Sequence, residues 1–345
     1  MPKSSPTWRI LFIEMKRTQM TGRFPRQLGN NFRRVLTLVA LVAAFGSQLA
    51  RAGSGFAWEQ QADSLALRQN GQDVWRFNFG ANEGKPNFHP LALPAGPVVS
   101  CYRPKDHPWH RGLWFSWKYV NKVNYWEENR KTGLGEGKTE WRAPLVETHS
   151  DFSARLVLDL NYHPTNGPVV LTEHRVITVS APDNSGAYYL DWDMTFHAMA
   201  EEVVLDRAPP VDEKGNNVSG GYAGLGIRAA EDFQQTEVIT GNGAVKYENN
   251  RFRGQALALD FSGIIDGQMA GIAFLDNPAN LNSPTPWYVI NKAPMYYISP
   301  AVLTYHPKSL KAGESMVLRY RVVVHPGRWT EEQLQAASKH YAAGE

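Results

Sequence analysis

From Phe56 to His325, apolar and polar positions alternate in short runs rich in Val, Ile, Thr and aromatic residues, cut by clusters of Gly, Pro, Asn and Asp. A period of two places alternate side chains on opposite faces of an extended strand, so the pattern predicts an all-β chain. SLALRQ and DVWRFNF flank Asn70-Gly71, a pair that suits a two-residue hairpin turn because both residues tolerate positive φ. Further strands are expected at 152–161, 169–179, 187–198, 255–261, 269–275 and 316–325. The period changes only at the end, where Thr330 and Gln333 form a capping box ahead of EEQLQAASKHYAA and predict a helix over 330–343. So many strands without a compositional break predict one large two-sheet antiparallel sandwich over 53–345, with the helix covering a face or edge. PPVDEKGNNVSGG, 209–221, is the longest polar insertion and a candidate lid over a binding face.

The first 52 residues read differently. Basic residues from Lys3 to Arg34 precede the apolar run Val35–Gly46, and QLARAG follows, with Ala50 and Ala52 fitting the small-residue rule of signal peptidase. Cleavage after Ala52 is expected, giving a periplasmic or secreted protein; Arg33-Arg34 also permits twin-arginine export. A run of twelve apolar residues is too short for a permanent span. Of 36 basic and 33 acidic residues, nine and one fall in this leader, so the rest carries 27 against 32 and is net acidic. That balance argues against nucleic acid as a partner, which needs a basic stripe. Cys101 is the single cysteine, so the fold is held by its core rather than by an intrachain disulfide.

Candidate chemistry concentrates in DHPWHRGLWFSW, 106–117. GLWFSW reads as a strand with rings on both faces, including Trp114 and Trp117, and Asp106, His107, His110 and Arg111 occupy the turn that enters it. The competing reading makes the histidines turn caps and the tryptophans core. Upstream, KPNFHPL holds His89 in a second proline-stiffened segment. Three histidines in two stiff segments suit a transition metal, but their spacing matches no metal signature, so no metal or other cofactor is expected. In TEHRV and LDWDMTFHA, alternation puts Glu173 and Arg175 on one face and Asp191 and Asp193 on one face. They form either a binding face or a cross-strand ion-pair ladder with Arg175. GGYAGLGIR delivers Arg228, and FLDNPANLNSPTPWYV places Asp276, Asn280, Asn282 and Trp287 in a Pro-rich loop. Flat rings beside amides, carboxylates and guanidinium groups are the inventory of a carbohydrate site.

KPNFHPL, DHPWHRGLWFSW, TEHRV, GYAGLGIR, LDNPANLNSPTPWYV and LRYRVVVHPG, in order over about residues 58–330, resemble the PmoA-like family, a domain of unknown function in bacterial secreted proteins. The family label borrows the name of a membrane subunit, whereas the chain after residue 52 has no run of ~20 apolar residues. The β-rich pattern is similar to the galactose mutarotase-like supersandwich of aldose epimerases and other carbohydrate-active enzymes, and the resemblance carries over no catalytic residues.

The expected function is an exported enzyme acting on a sugar or glycoside by acid and base groups, whether by isomerisation, hydrolysis or elimination. His107 or His110 would donate a proton and Glu173 or Asp193 accept one. His89, Asp106, Arg111, Arg175, Arg228 and Asp276 would orient hydroxyls or an acidic substituent, while Trp114, Trp117 and Trp287 stack on the ring. Convergence of His107, His110 and Glu173 on one cavity would favour this reading. The alternatives are a non-catalytic sugar-binding module and a His-ligated metalloenzyme.

Overall fold

Two broad antiparallel sheets face each other across a core of aromatic and aliphatic side chains. The computed structural model describes residues 55–212, 214–215 and 219–344; the expected signal segment lies outside them, as do positions 213 and 216–218 of the 209–221 loop. Ala50–Glu345 groups as one compact unit by its internal contacts. No helix among the described residues is long and apolar enough to cross a membrane.

The ten-stranded sheet shows why alternation was a good guide. In Tyr188–Ala198, near its centre, Tyr188, Leu190, Trp192, Met194 and Phe196 enter the core, while Tyr189, Asp191, Asp193, Thr195 and His197 face outward. Its neighbours are Leu171–Val179 and Ser315–Pro326. Directly across the latter pairing, Asp191 meets Arg321 and Asp193 meets Arg319, each at 2.7 Å. The ion-pair ladder therefore exists, but its cations come from Ser315–Pro326 and not from Arg175. Glu331–Ala342 is the expected helix, shorter by one residue at each end, capped reciprocally by Thr330 and Gln333. Leu334 and Tyr341 bury its apolar side against Ala258, Ala273, Leu275 and Val323 on the outer face of this sheet.

Glu173 and Arg175 share their parity with Leu171, Ile177 and Val179, and all five point inward. Arg175 Nε and Nη2 donate to the Glu173 carboxylate at 2.6 and 2.9 Å, and the Tyr162 hydroxyl donates to the same group. The guanidinium lies against the rings of Phe115 and Trp192, each 5.5 Å away. Burial lowers the Arg175 guanidinium, but the carboxylate outweighs it and holds the group above its ordinary value. This is a sealed ion pair inside the sandwich.

The nine-stranded sheet is covered on both faces, and this positions the site. Its middle runs Asn87–Leu91, Leu113–Ser116, Gly224–Arg228, Met295–Pro300, Pro286–Lys292, with Arg251–Gln255 at the edge. Leu113, Phe115, Leu225, Ile227, Ile298 and Val289 fill the sandwich core. The alternate residues Trp114, Tyr297, Tyr288 and Ile290 build a second cluster with Trp126 on the opposite face. Strands apolar on both faces lose the period of two. That is why the end of the loop expected over 274–289 is in fact the start of the strand Pro286–Lys292, and why the strand Met295–Pro300 was not anticipated. Gly226 sits between them and Trp114, and a Cβ there would lie 2.6 Å from the Tyr297 hydroxyl. The glycine lets that ring lie flat on the sheet.

Candidate functional site

The second aromatic cluster is the back wall of a cavity of about 440 Å³ on the face of the nine-stranded sheet away from the core. Its volume falls within the usual range for small-molecule sites, roughly 300–1,000 Å³. The segment 101–112 folds over this face in tight turns: His107 N donates to Pro104 O, His110 N to His107 O and Gly112 N to Cys101 O. Gly112 has φ of 71°, and a Cβ there would meet Phe88 O at 2.3 Å, so only glycine closes the turn. Arg111, fully buried, locks the segment by donating to Pro108 O, Glu83 O and Glu128 Oε1 at 2.6, 3.0 and 2.5 Å.

These turns stack the His107 and His110 rings at 4.7 Å, with Tyr297 and Trp114 behind His110 at 5.4 and 4.9 Å. His107 Nδ1 lies 2.9 Å from Asp106 Oδ2, and Arg228 Nη2 holds the same carboxylate at 3.0 Å. Burial raises the Asp106 carboxyl, but the His107 and Arg228 contacts outweigh it and keep it below its ordinary value. An ionised Asp106 only accepts, so the proton of this contact sits on His107 Nδ1, and Nε2 lies at the far side of the ring. His110 differs. Burial first, then the charges of His107, Arg228, Lys85 and Arg111, hold it well below its ordinary value, and its Nδ1 is buried without a hydrogen-bond partner.

The neutrality of His110 predicts a pH dependence. Its folded value is depressed, so on acidification the unfolded chain takes up a proton that the native chain refuses; its contribution to stability is full above about pH 6.5 and falls below it. His89, lowered by burial to about 4, acts in the same direction. Asp276, raised by burial to about 6, opposes them, since its contribution is full below pH 3.8 and is lost as pH rises through 6. His110→Phe keeps the ring stack and removes one titration. Below pH 6.5 its stability should gain on wild type by up to about 1.4 kcal/mol per pH unit, measured by urea unfolding from pH 7.5 to 5. Parallel curves would show that His110 titrates alike in both states.

The carboxylate in the cavity is Glu127, which the sequence reading missed. Asn124 Nδ2 and Lys118 Nζ donate to its Oε2, the former at 2.7 Å, and Tyr222 donates to Oε1 at 3.3 Å. Trp109, Trp126, Tyr222 and Tyr288 supply aromatic wall, and Arg251 and Lys292 stand at the rim. The signal for Glu127 was YWEEN, 125–129, a ring pair beside two carboxylates that begins only eight residues past DHPWHRGLWFSW. A cavity of about 470 Å³ lies on the other side of Glu127, beside Lys85 and Glu128. It contains no histidine, and Lys85, lowered by burial to about 8, is committed to Trp126 O at 2.9 Å and Glu128 at 3.4 Å.

Of the residues singled out from sequence, the structure brings together His107 and His110, with Asp106 and Arg228 bracing the first and Trp114 backing the second. The expected convergence with Glu173 is corrected: that carboxylate is sealed in the core with Arg175, and Asp193 lies on the outer face of the other sheet with Arg319. Trp117 and Trp287 are core, the latter donating to Ala256 O at 3.0 Å. Arg111 pins the turn instead of reaching the cavity. Asp276 holds its own loop, accepting from Asn280, Ser283 and Thr285 N at 2.8, 2.8 and 2.9 Å. His89 stacks on Tyr102 and pairs with Ser100 Oγ at 2.9 Å, apart from the other two histidines. Among the described residues no three His, Cys, Asp or Glu side chains are grouped to hold a metal ion, so the three-histidine site is not formed.

A search of curated proteins returned no match. Among solved structures, a candidate aldose 1-epimerase from Klebsiella pneumoniae subsp. pneumoniae aligns over 81% of this chain and 83% of its own at 9% identity, with a TM-score of 0.37. The galactosidase domain of the alpha-galactosidase–sucrose kinase AgaSK aligns over 81% of this chain and 41% of its own at 8% identity, with a TM-score of 0.30. The family models give the firmer result. One of them, described as a family of unknown function, matches residues 64–339, most of the described fold and all of its cavity, and the chain belongs to that family, DUF6807.

Proposed function

We propose that the cavity receives a sugar ring and that the chain acts on it by proton transfer. The observation that carries this reading is His107, its Nδ1 fixed by the Asp106–Arg228 pair, presented beside aromatic rings in a cavity of ligand size. A fixed Nδ1–H leaves Nε2 to take a proton from a hydroxyl or to return one to a ring or glycosidic oxygen. Trp109, Trp126 and Tyr288 offer apolar faces for the ring's C–H groups. His110, kept neutral by burial, is a packing partner of His107 and not a second acid. No redox or metal cofactor is invoked.

One feature favours a non-catalytic sugar-binding role instead. Glu127, the second candidate for proton transfer, is tied by Lys118, Asn124 and Tyr222. A panel of free sugars and glycosides, read for both heat of binding and chemical conversion, separates the two. Conversion of a bound sugar supports the enzyme, binding without conversion the module, and neither removes both. Export of the protein stays part of the proposal on the strength of Val35–Gly46, Ala50 and Ala52. N-terminal sequencing of the exported form should begin at Gly53, and a form that keeps Val35–Gly46 would contradict it.

A further inference from the structure

We propose that the ligand of the cavity carries a carboxylate, which makes its class a uronic acid or uronate-ended glycoside; this deepens the carbohydrate reading and rests on it. The charge around the cavity is uneven. Its lining carboxylate, Glu127, is already matched by buried Lys118, whereas Arg251 and Lys292 at the rim make no ion pair among the described residues. Three other arginines on the sheets do have carboxylate partners: Arg76 pairs with Glu59 and Asp73, Arg319 with Asp193, and Arg321 with Asp191.

Arg251 and Arg253 lie two apart on the edge strand and so share the cavity face. Arg253 packs its guanidinium over Tyr288, 4.9 Å from the centroid, and donates to Gly220 O at 3.2 Å. Burial lowers the Arg253 guanidinium, and the charge of Arg251 lowers it further, against the raising effects of Tyr288 and Glu248. Arg251 donates to Ser219 Oγ at 2.7 Å and Asn249 O at 3.3 Å, and its Nε is buried without a partner. A smaller cavity of about 300 Å³, lined by Lys246, Glu248, Asn249, Arg251 and Arg253, continues from the first through Arg251. Three cations, Lys246, Arg251 and Arg253, share this lining with one carboxylate, Glu248; the surplus positive charge favours an anion, and a guanidinium with a fixed plane favours a planar carboxylate. The ring then lies against the aromatic wall and its carboxylate against Arg251 and Lys292.

Isothermal titration calorimetry of the full chain tests this with matched pairs: methyl glucuronide, galacturonide and mannuronide, each against the neutral methyl hexoside and its 6-sulfate. At least one uronate should bind about tenfold more tightly than its neutral partner at low salt. That ratio should shrink toward one in ~0.5 M NaCl and in Lys292→Glu, because screening and charge reversal both act on the ion pair alone. A neutral sugar bound equally well or better would overturn the carboxylate and leave the carbohydrate reading standing. A sulfate ester preferred over the uronate would overturn the carboxylate in favour of another anion. No binding by any ring of the panel would remove both.

Discussion

Arg175→Met should lower the stability of the fold by about 3–5 kcal/mol, read as a fall in the urea midpoint at unchanged slope. The reason is what the substitution leaves behind. Glu173 and Arg175 are both fully buried, and among the described residues Glu173 has only Arg175 and the Tyr162 hydroxyl to replace the water it gave up on folding. Without the guanidinium the carboxylate must ionise in an apolar core or bind a proton at neutral pH, and both are costly. Glu173→Ala should do comparable damage by leaving the cation unpaired. The triple change Tyr162→Phe, Glu173→Leu, Arg175→Met removes every polar group of the network and should recover most of the loss. A loss below about 1 kcal/mol for Arg175→Met would show that water reaches the pair. The result also bears on function, since a Glu173 variant that loses activity would do so through unfolding and not through chemistry.

The error over Glu173 shows where the sequence was legible and where it was not. Alternation correctly grouped Glu173 with Arg175 and Asp191 with Asp193, because face-sharing follows from strand geometry alone. It does not say which face is inside. The clue was present: Leu171, Ile177 and Val179 share the parity of Glu173, and a strand buries the face with more apolar side chains. The histidine turn was legible because Pro108 and Gly112 punctuate it, and local hydrogen bonds complete it. The rest of the cavity was not. Trp114, Tyr288 and Tyr297 become neighbours only because Leu113–Ser116, Gly224–Arg228, Met295–Pro300 and Pro286–Lys292 lie side by side. That strand order joins residues more than 170 positions apart, and no periodicity encodes it.

His107→Ala should lower turnover of any sugar that the panel shows to be converted by roughly 10²-fold or more, the scale of losing one positioned acid or base. The fold should tolerate it, because the ring is about a third exposed and its main partners, Asp106 and His110, keep Arg228 and Tyr297 respectively. A thermal melt within a few degrees of wild type separates this from unfolding. Asp106 acts through His107 as a positioning residue. Asp106→Asn can offer Nδ1 either an acceptor or a donor, so the imidazole loses its single tautomer while the ring stays in place. It should therefore reduce kcat with little change in KM, and Asp106→Glu should restore part of the rate. Trp126→Ala should do the opposite, raising KM more than it lowers kcat, if this ring meets the sugar in ground and transition state alike. Turnover of His107→Ala within threefold of wild type would remove proton transfer at His107 and leave the cavity as a binding site.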